Sequence, residues 1–439
     1  MILSIVIAGA TALSMVGAVL VKPYINIGKA KVGLYWIICL IGAILMLLTG
    51  CIDFKAVIDG ITADTSVNPL KILTLFLSMT LLSVYLGDAG FFDYIADRVF
   101  LKSRGGQLKL FLILYAVVSI LTVFTSNDVI ILTFTPPICI FAKRAKISPL
   151  PYLFGEFIAA NTWSMMLIVG NPTNVYLASS YGISFAKYLS VMCLPAIAGG
   201  LTGLLALLLI FKKQLSAPME HRLEKDLSHS PVKKIKVARV PMIVAIVHLI
   251  ICIILLAISD IIGVEMWLIC LILALSLTAF DLVYDLVVIH NVKPVWRSIK
   301  KEPYELIPFV LSMFIIVLSL KANGVTNALS NLLVANEKTD GITFSFLSAI
   351  SANLLNNIPM SVLFEQITAS ATSASVYGAI IGSNVGAFIT PVGALAGIMW
   401  SKILAKYDIK LPFSKFVLYG CAVAIPTLVA SSLTLFLVL

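Results

Sequence analysis

The sequence predicts an all-α polytopic membrane protein made of two inverted five-span repeats, each with one re-entrant helical hairpin and one broken transmembrane helix. Of the 439 residues, 60% are hydrophobic and only 12% are charged, a composition that excludes a soluble enzyme. At ~20 residues per span, this content is enough for about ten to twelve spans. A basic linker divides the chain almost in half, and polar clusters interrupt four of the apolar runs.

Apolar runs between charged clusters predict ten membrane spans. The first run has neither a basic region in front of it nor a small-residue cleavage site, so we interpret it as a retained span and not as a signal peptide. The predicted spans lie near 2–20, 32–50, 70–87, 150–180, 187–211, 241–258, 264–284, 305–320, 376–401 and 413–437.

Two further apolar stretches, 107–142 and 343–373, are interrupted near their middle by polar residues. The first contains Ser126-Asn127-Asp128, and the second contains Asn356-Asn357 followed by Pro359. Both are predicted to be re-entrant hairpins. All six basic clusters of the chain then fall on one side of the membrane, as the positive-inside rule requires.

The excess of 31 Lys and Arg over 21 Asp and Glu gives a formal net charge of +10. In a membrane protein this excess reflects orientation, so we expect the lipid bilayer as a partner and no nucleic acid. The topology predicts a multi-pass protein of the cell (plasma) membrane with both termini outside the cytoplasm.

The longest linker separates two units of similar organisation. It runs over 212–239 and contains eight Lys or Arg and three Asp or Glu. We predict a first repeat at 1–211, a cytoplasmic linker at 212–239 and a second repeat at 240–439. Because each unit crosses the membrane five times, an odd number, the second copy must be inverted.

Four polar breaks, two in each half, mark the candidate site. Non-helical backbone survives at membrane depth only where it is buried in protein or lines a cavity. Helix N-termini there attract anions, and Asn, Ser and Thr oxygens can coordinate a cation. The alternative is that such clusters are ordinary loops or interhelical contacts, but their repeat-related positions favour a site. The predicted substrate- and ion-binding residues are Ser126, Asn127, Asp128, Asn171, Thr173, Asn174, Asn356, Asn357, Ser383, Asn384 and Thr390.

Carboxylates inside the membrane are costly and are therefore functional candidates. Asp128 is the carboxylate at a helix break, so we predict that it couples transport to H⁺ or Na⁺; the alternative is a helix N-cap, and both roles are compatible. Glu156 and Glu365 fit polar pairing at helix interfaces better. The scattered Cys and His residues form no ligand motif, so no metal site and no cofactor is expected.

Four motifs carry a resemblance to a known family. They are Leu86-Gly-Asp-Ala-Gly-Phe-Phe-Asp, Ser126-Asn127-Asp128 with Thr135-Pro136, Asn356-Asn357-Ile358-Pro359-Met360, and Gly382-Ser383-Asn384-Val385-Gly386 with Ile389-Thr390-Pro391-Val392-Gly393. These motifs resemble the arsenical-resistance permease family of the ion transporter superfamily, in which aspartates usually stand at the positions of Asn161 and Asn384. The resemblance runs nearly end to end, and it implies two inverted five-span repeats that export trivalent arsenic or antimony hydroxide, driven by protons and in some systems assisted by a separate ATPase subunit.

The sequence therefore predicts an ion-coupled secondary transporter that exports arsenite or antimonite by proton antiport with alternating access. Two alternatives stay open: a sodium/proton antiporter, and a sodium-coupled transporter of carboxylates or inorganic anions. The Gly170-Asn171-Pro172-Thr173-Asn174 motif resembles both of these branches of the superfamily. The paired breaks argue against a channel. The chain lacks a Gly-x-x-x-x-Gly-Lys-Ser/Thr loop, so any ATPase would be a separate partner. The sequence does not distinguish a monomer from a dimer.

Overall fold

A computed structural model describes residues 1–21, 24–27, 30–64, 68–102, 106–218, 237–333, 337–368 and 372–439. Most of the predicted basic linker, 219–236, lies outside these residues. The predicted domain boundaries therefore stay a prediction.

In the described part of the first half, helices and their connections are accompanied by one antiparallel ribbon, in which β1 (Tyr24–Ile27) pairs with β2 (Ala30–Gly33). The all-α prediction did not include this ribbon, because strands of four residues are too short to show an alternating pattern. The helices are α1 (Ile2–Val21), α2 (Leu34–Leu48), α3 (Phe54–Thr62), α4 (Pro69–Asp88), α5 (Phe91–Lys102), α6 (Gln107–Phe124), α7 (Asn127–Arg144), α8 (Leu150–Trp163), α9 (Pro172–Ser180), α10 (Phe185–Ile210) and α11 (Lys212–Leu215).

The second half consists of helices throughout its described part. A π-helical turn, Asp285–Ile289, directly follows the helix Met266–Tyr284 and leads into a short helix before the next span. The helices are α12 (Arg239–Ala257), a single turn at Ser259–Ile262, α13 (Met266–Tyr284), α14 (Lys293–Ile299), α15 (Leu306–Ala322), α16 (Val325–Leu333), α17 (Glu337–Leu355), α18 (Asn357–Thr368), α19 (Ser373–Gly386), α20 (Leu395–Lys406) and α21 (Phe413–Val438).

Six of the described helices are long and apolar enough to cross a membrane, and a seventh span results if α15 and α16 count as one helix bent by 79°. The helical, polytopic character is thus confirmed, but ten full-length spans are not. The predicted spans 150–180 and 376–401 are each divided into shorter helices. Helix α2, with 15 residues, is shorter than a full span.

The two predicted hairpins are broken at the predicted places. Ser126 separates α6 from α7, and Asn356, whose φ is 74°, separates α17 from α18. Asn tolerates this left-handed conformation better than most residues, because its short polar side chain bonds locally. Helix α6 of the first hairpin is by itself long and apolar enough to cross a membrane. The return of each hairpin to the side from which it entered therefore stays a prediction.

Helix α8 is buried along nearly its whole length, from Pro151 to Thr162, between α6, α7, α10 and α19. In the second half, α17 packs closely along α19, which has glycines at 378, 382 and 386 on one face. A Cβ at Gly378 or Gly382 would overlap the backbone of α17. Small residues thus let these two helices approach closely. Because α8 and α19 are both buried, the breaks that follow them lie inside the protein.

Candidate functional site

The side chain of Asn384 connects the broken helix of the second half to that of the first. Its Oδ1 lies 2.9 Å from Nδ2 of Asn171 and 3.0 Å from Oγ of Ser164. Its Nδ2 donates to Oδ1 of Asn174 at 2.7 Å and to the carbonyl of Ile380 at 2.8 Å. At most 1% of each of the four polar side chains is exposed. These residues form the core of a polar network, which we call the asparagine cluster.

Ser383 and Thr173 extend the asparagine cluster along the same interface. The hydroxyl of Ser383 donates to Oγ1 of Thr173 at 2.9 Å, and Thr173 Oγ1 donates to Oδ1 of Asn171 at 3.1 Å. The structure thus brings together five of the predicted site residues, and they come from both halves of the chain.

The sequence before α9 explains why the chain breaks there. Asn171 precedes Pro172 and is extended, with φ −149° and ψ 140°, as expected for a residue before proline. Its side chain caps α9 by accepting from the backbone nitrogen of Thr173 at 3.2 Å, a favoured N-cap arrangement. A Cβ at Gly170 would overlap the carbonyl of Ser164, so glycine permits the close approach of the two segments.

The tip of the first predicted hairpin contacts the asparagine cluster through Asn161 of α8. Nδ2 of Asn127 donates to Oδ1 of Asn161 at 3.0 Å, and the hydroxyl of Ser164 lies 2.7 Å from the carbonyl of Asn161. Ser126 caps α7, as its Oγ accepts from the nitrogen of Asp128 at 3.3 Å. Asp128 lies in the first helical turn and is partly exposed. Within the described segments, no group donates a hydrogen bond to its carboxylate.

The remaining predicted residues form a second polar group around the other hairpin tip. Nδ2 of Asn356 donates to the carbonyl of Val392, and the nitrogen of Asn357 donates to the carbonyl of Gly393, both at 3.0 Å. Thr390 donates to Oδ1 of Asn353 through its hydroxyl at 2.7 Å. Oδ1 of Asn357 is buried and has no hydrogen-bond partner in the described part of the chain, so it is available to a ligand.

Sequence reasoning did not include Ser164, Asn353 or Asn161 among the site residues. Single polar residues inside apolar helices carry little signal about which neighbour they face. Asn353 lies three residues before Asn356, about one helical turn, and this spacing was the available clue. Glu156 was interpreted as an interface residue, and it is indeed buried between helices, within 2.9 Å of the Thr135 hydroxyl and 3.3 Å of the Trp400 indole nitrogen.

The side chains of the asparagine cluster are neutral amides and hydroxyls. Each can donate or accept hydrogen bonds, and across the described ranges no Lys or Arg side chain bonds to them. The same part of the chain contains no group of three or more His, Cys, Asp or Glu residues arranged for a metal ion. The amide and hydroxyl groups of the cluster bond mainly to one another and can each serve as donor or acceptor.

Comparisons with known proteins agree with this architecture. The family model described as citrate transporter matches residues 31–379. An arsenical pump membrane protein of Escherichia coli is 26% identical over 407 residues, covering 88% of this chain and 90% of that protein. An arsenical pump membrane protein of Yersinia enterocolitica is 25% identical over 371 residues, covering 80% of this chain and 83% of that protein. The predicted resemblance to arsenical permeases is thus confirmed.

A solved structure is also similar over nearly the whole chain. The YdaH transporter of Alcanivorax borkumensis has a TM-score of 0.55 at 12% identity, covering 99% of this chain and 97% of that one. At this identity the likeness concerns the fold alone.

Proposed function

We propose that this chain, which belongs to the citrate transporter family, exports arsenite and antimonite as neutral trihydroxides in exchange for protons. Membership makes the chain a secondary transporter and not an enzyme. The substrate, the direction and the proton coupling are our proposal. The relatives named arsenical pump membrane protein cover most of this chain and support this choice of substrate.

The neutral character of the asparagine cluster is the observation that carries the proposal. A trihydroxide has three groups that both donate and accept, and the amides of Asn171, Asn174 and Asn384, which bond to one another here, would exchange these bonds for bonds to the substrate. A citrate anion would bring up to three charges into a buried site where no described Lys or Arg compensates them. Burying an unpaired charge is far more costly than burying hydrogen-bonded neutral groups.

Coupling is assigned to Asp128. Asp128 is partly exposed at the N-terminus of α7, and it lies next to Asn127, which contacts the asparagine cluster through Asn161. A proton or Na⁺ taken up there would change the charge at the hairpin tip. Movement of the hairpin-bearing units would then open the site alternately to the two sides.

A second candidate function is sodium-coupled transport of a carboxylate or inorganic anion. The family description favours it. Sodium/proton antiport is the third candidate.

Transport into proteoliposomes of purified protein separates these candidates. Arsenite uptake should follow an imposed pH gradient, should not need sodium and should not be reduced by citrate. Asp128→Asn should lose gradient-driven accumulation while it still exchanges arsenite across the membrane, because the shape is kept and the charge is lost. The exposed Asp59→Asn is the matched control and should behave as wild type. Sodium-dependent citrate uptake without arsenite uptake would contradict the proposal.

A further inference from the structure

Glu156 is a fully buried carboxyl group that the proposed mechanism does not yet use. It lies on α8 with 0% of its surface exposed. Its Oε1 is 2.9 Å from the hydroxyl of Thr135 on α7, and its Oε2 is 3.3 Å from the indole nitrogen of Trp400 on α20. The carboxyl group therefore joins the second arm of the first hairpin to the last part of the second broken helix.

The short contacts around Glu156 fit a protonated carboxyl group better than a carboxylate. Thr135 has a single hydroxyl hydrogen, yet its Oγ1 lies 2.6 Å from the carbonyl of Ile131 and 2.9 Å from Oε1 of Glu156. If Glu156 is protonated on Oε1, it donates to Thr135, Thr135 donates to Ile131, and Trp400 donates to Oε2. All three short contacts are then hydrogen bonds, whereas an ionised Glu156 leaves one of the two contacts of the Thr135 hydroxyl without a hydrogen.

No charged group offsets a negative charge at this position. The titratable side chain that faces Glu156 is Cys139 of α7, and Tyr152 on α8 itself is bonded to Gln107. Across the described ranges, Glu156 forms no ion pair. The charged side chains of the helices packed against α8 are the partly exposed Asp128 and the exposed Lys109, Lys143, Arg144, Lys187, Lys402, Lys406 and Lys415.

We propose that Glu156 is a second proton-binding residue of the transport cycle, occluded here and opened to proton exchange when α20 moves away from α7 and α8. This inference rests on the proposed proton coupling. On opening, the O–H bond of Glu156 breaks and its proton passes to water that enters between the helices; reprotonation of the same oxygen permits closure. A closed interface with an ionised Glu156 would hold an uncompensated buried charge and is disfavoured.

The position of Glu156 connects this event to the candidate site. Asn161, which receives the hydrogen bond from the hairpin tip, lies five residues further along α8. On α7, Asp128 and Thr135 are seven residues apart, close to two turns, and so lie on one face. Protonation at Glu156 would therefore act on the same two helices that carry Asn127 and Asn161.

The test compares Glu156→Gln with Glu365→Gln, a matched variant of another buried carboxyl group. Gln has the shape of the protonated acid and can keep both hydrogen bonds, so the protein should fold. We expect Glu156→Gln to retain arsenite exchange but to lose accumulation driven by a pH gradient, whereas Glu365→Gln retains both. Wild-type accumulation by Glu156→Gln would overturn the proposal.

Infrared spectroscopy provides a readout that does not depend on the substrate. The difference spectrum between wild-type protein and Glu156→Gln near neutral pH should show a protonated carboxyl band, because other protonated carboxyl groups, such as that of Glu302, are present in both proteins and cancel. A difference spectrum without this band would overturn the proposal. If wild-type protein transports no arsenite, the proposed function fails, and the infrared comparison still decides whether Glu156 holds a proton.

Discussion

Nδ2 of Asn384 lies 2.7 Å from Oδ1 of Asn174, and this hydrogen bond joins the broken helix of the second half to that of the first. Both side chains are fully buried. Because each residue lies beside a break in its helix, a movement of either broken segment must change this bond. The interface between the two halves and the candidate binding site are therefore the same place.

Replacing Asn384 should damage both stability and transport. Asn384→Ala leaves Ser164, Asn171 and Asn174 without their shared partner, and an unsatisfied buried polar group costs about 1–3 kcal/mol. We expect a lower melting temperature in detergent and loss of arsenite transport. Asn331→Ala, at an exposed position of α16, is the control and should change neither. Normal transport by Asn384→Ala would exclude the asparagine cluster as the site.

The two hairpin tips should respond differently to alanine. Asn127→Ala removes the partner of Oδ1 of Asn161, so it should lower stability as well as abolish transport. Asn357→Ala removes an oxygen that has no partner among the described residues, so it should abolish transport with little change in melting temperature. Thermal unfolding and vesicle transport of both variants measure the difference. If both variants transport like wild type, the tips are structural caps.

The free energy of unfolding should decrease as the pH rises, because of the buried carboxyl group of Glu302 in the loop before α15. Burial raises the pKa of Glu302 from 4.5 to about 8, only 7% of the residue is exposed, and neither carboxyl oxygen has a described partner. Between these two values the folded protein holds a proton that the unfolded chain releases, so the free energy of unfolding decreases with pH.

Glu302→Gln should therefore melt at a higher temperature than wild type above about pH 8 and at nearly the same temperature near pH 5. Thermal unfolding over a pH series measures this, with the exposed Asp59→Asn as control. A constant difference between Glu302→Gln and wild type at every pH would contradict the pKa assignment.

The topology prediction can be tested by labelling single cysteines at the two ends of the first hairpin. Lys109 and Lys143 are both exposed, and a re-entrant hairpin places both on the cytoplasmic side. Lys109→Cys and Lys143→Cys, each in a background without the seven native cysteines, should react with a membrane-impermeant reagent from that side only. Labelling from opposite sides would show that 107–142 crosses the membrane and that the repeats are not inverted.

The breaks in the helices could be predicted because their causes are local. Asn171 before Pro172, Ser126 as an N-cap and Asn356 before Asn357 each end or begin a helix through their own backbone and side-chain chemistry. The division of the spans 150–180 and 376–401 into shorter helices follows the predicted breaks. The ribbon of β1 and β2 was missed, because strands of four residues show no clear alternating pattern.

By itself, the sequence determined that this protein is a helical membrane transporter with polar breaks in both halves, since composition and periodicity report the solvent that each residue faces. The tertiary structure decided which breaks meet. Asn171, Thr173 and Asn174 bond to Ser383 and Asn384, more than 200 positions away, whereas Asn356, Asn357 and Thr390 form a separate group. It also placed Glu156 between Thr135 and Trp400. Hydrogen bonds between distant segments depend on how whole helices pack, and no local pattern in the chain records that packing.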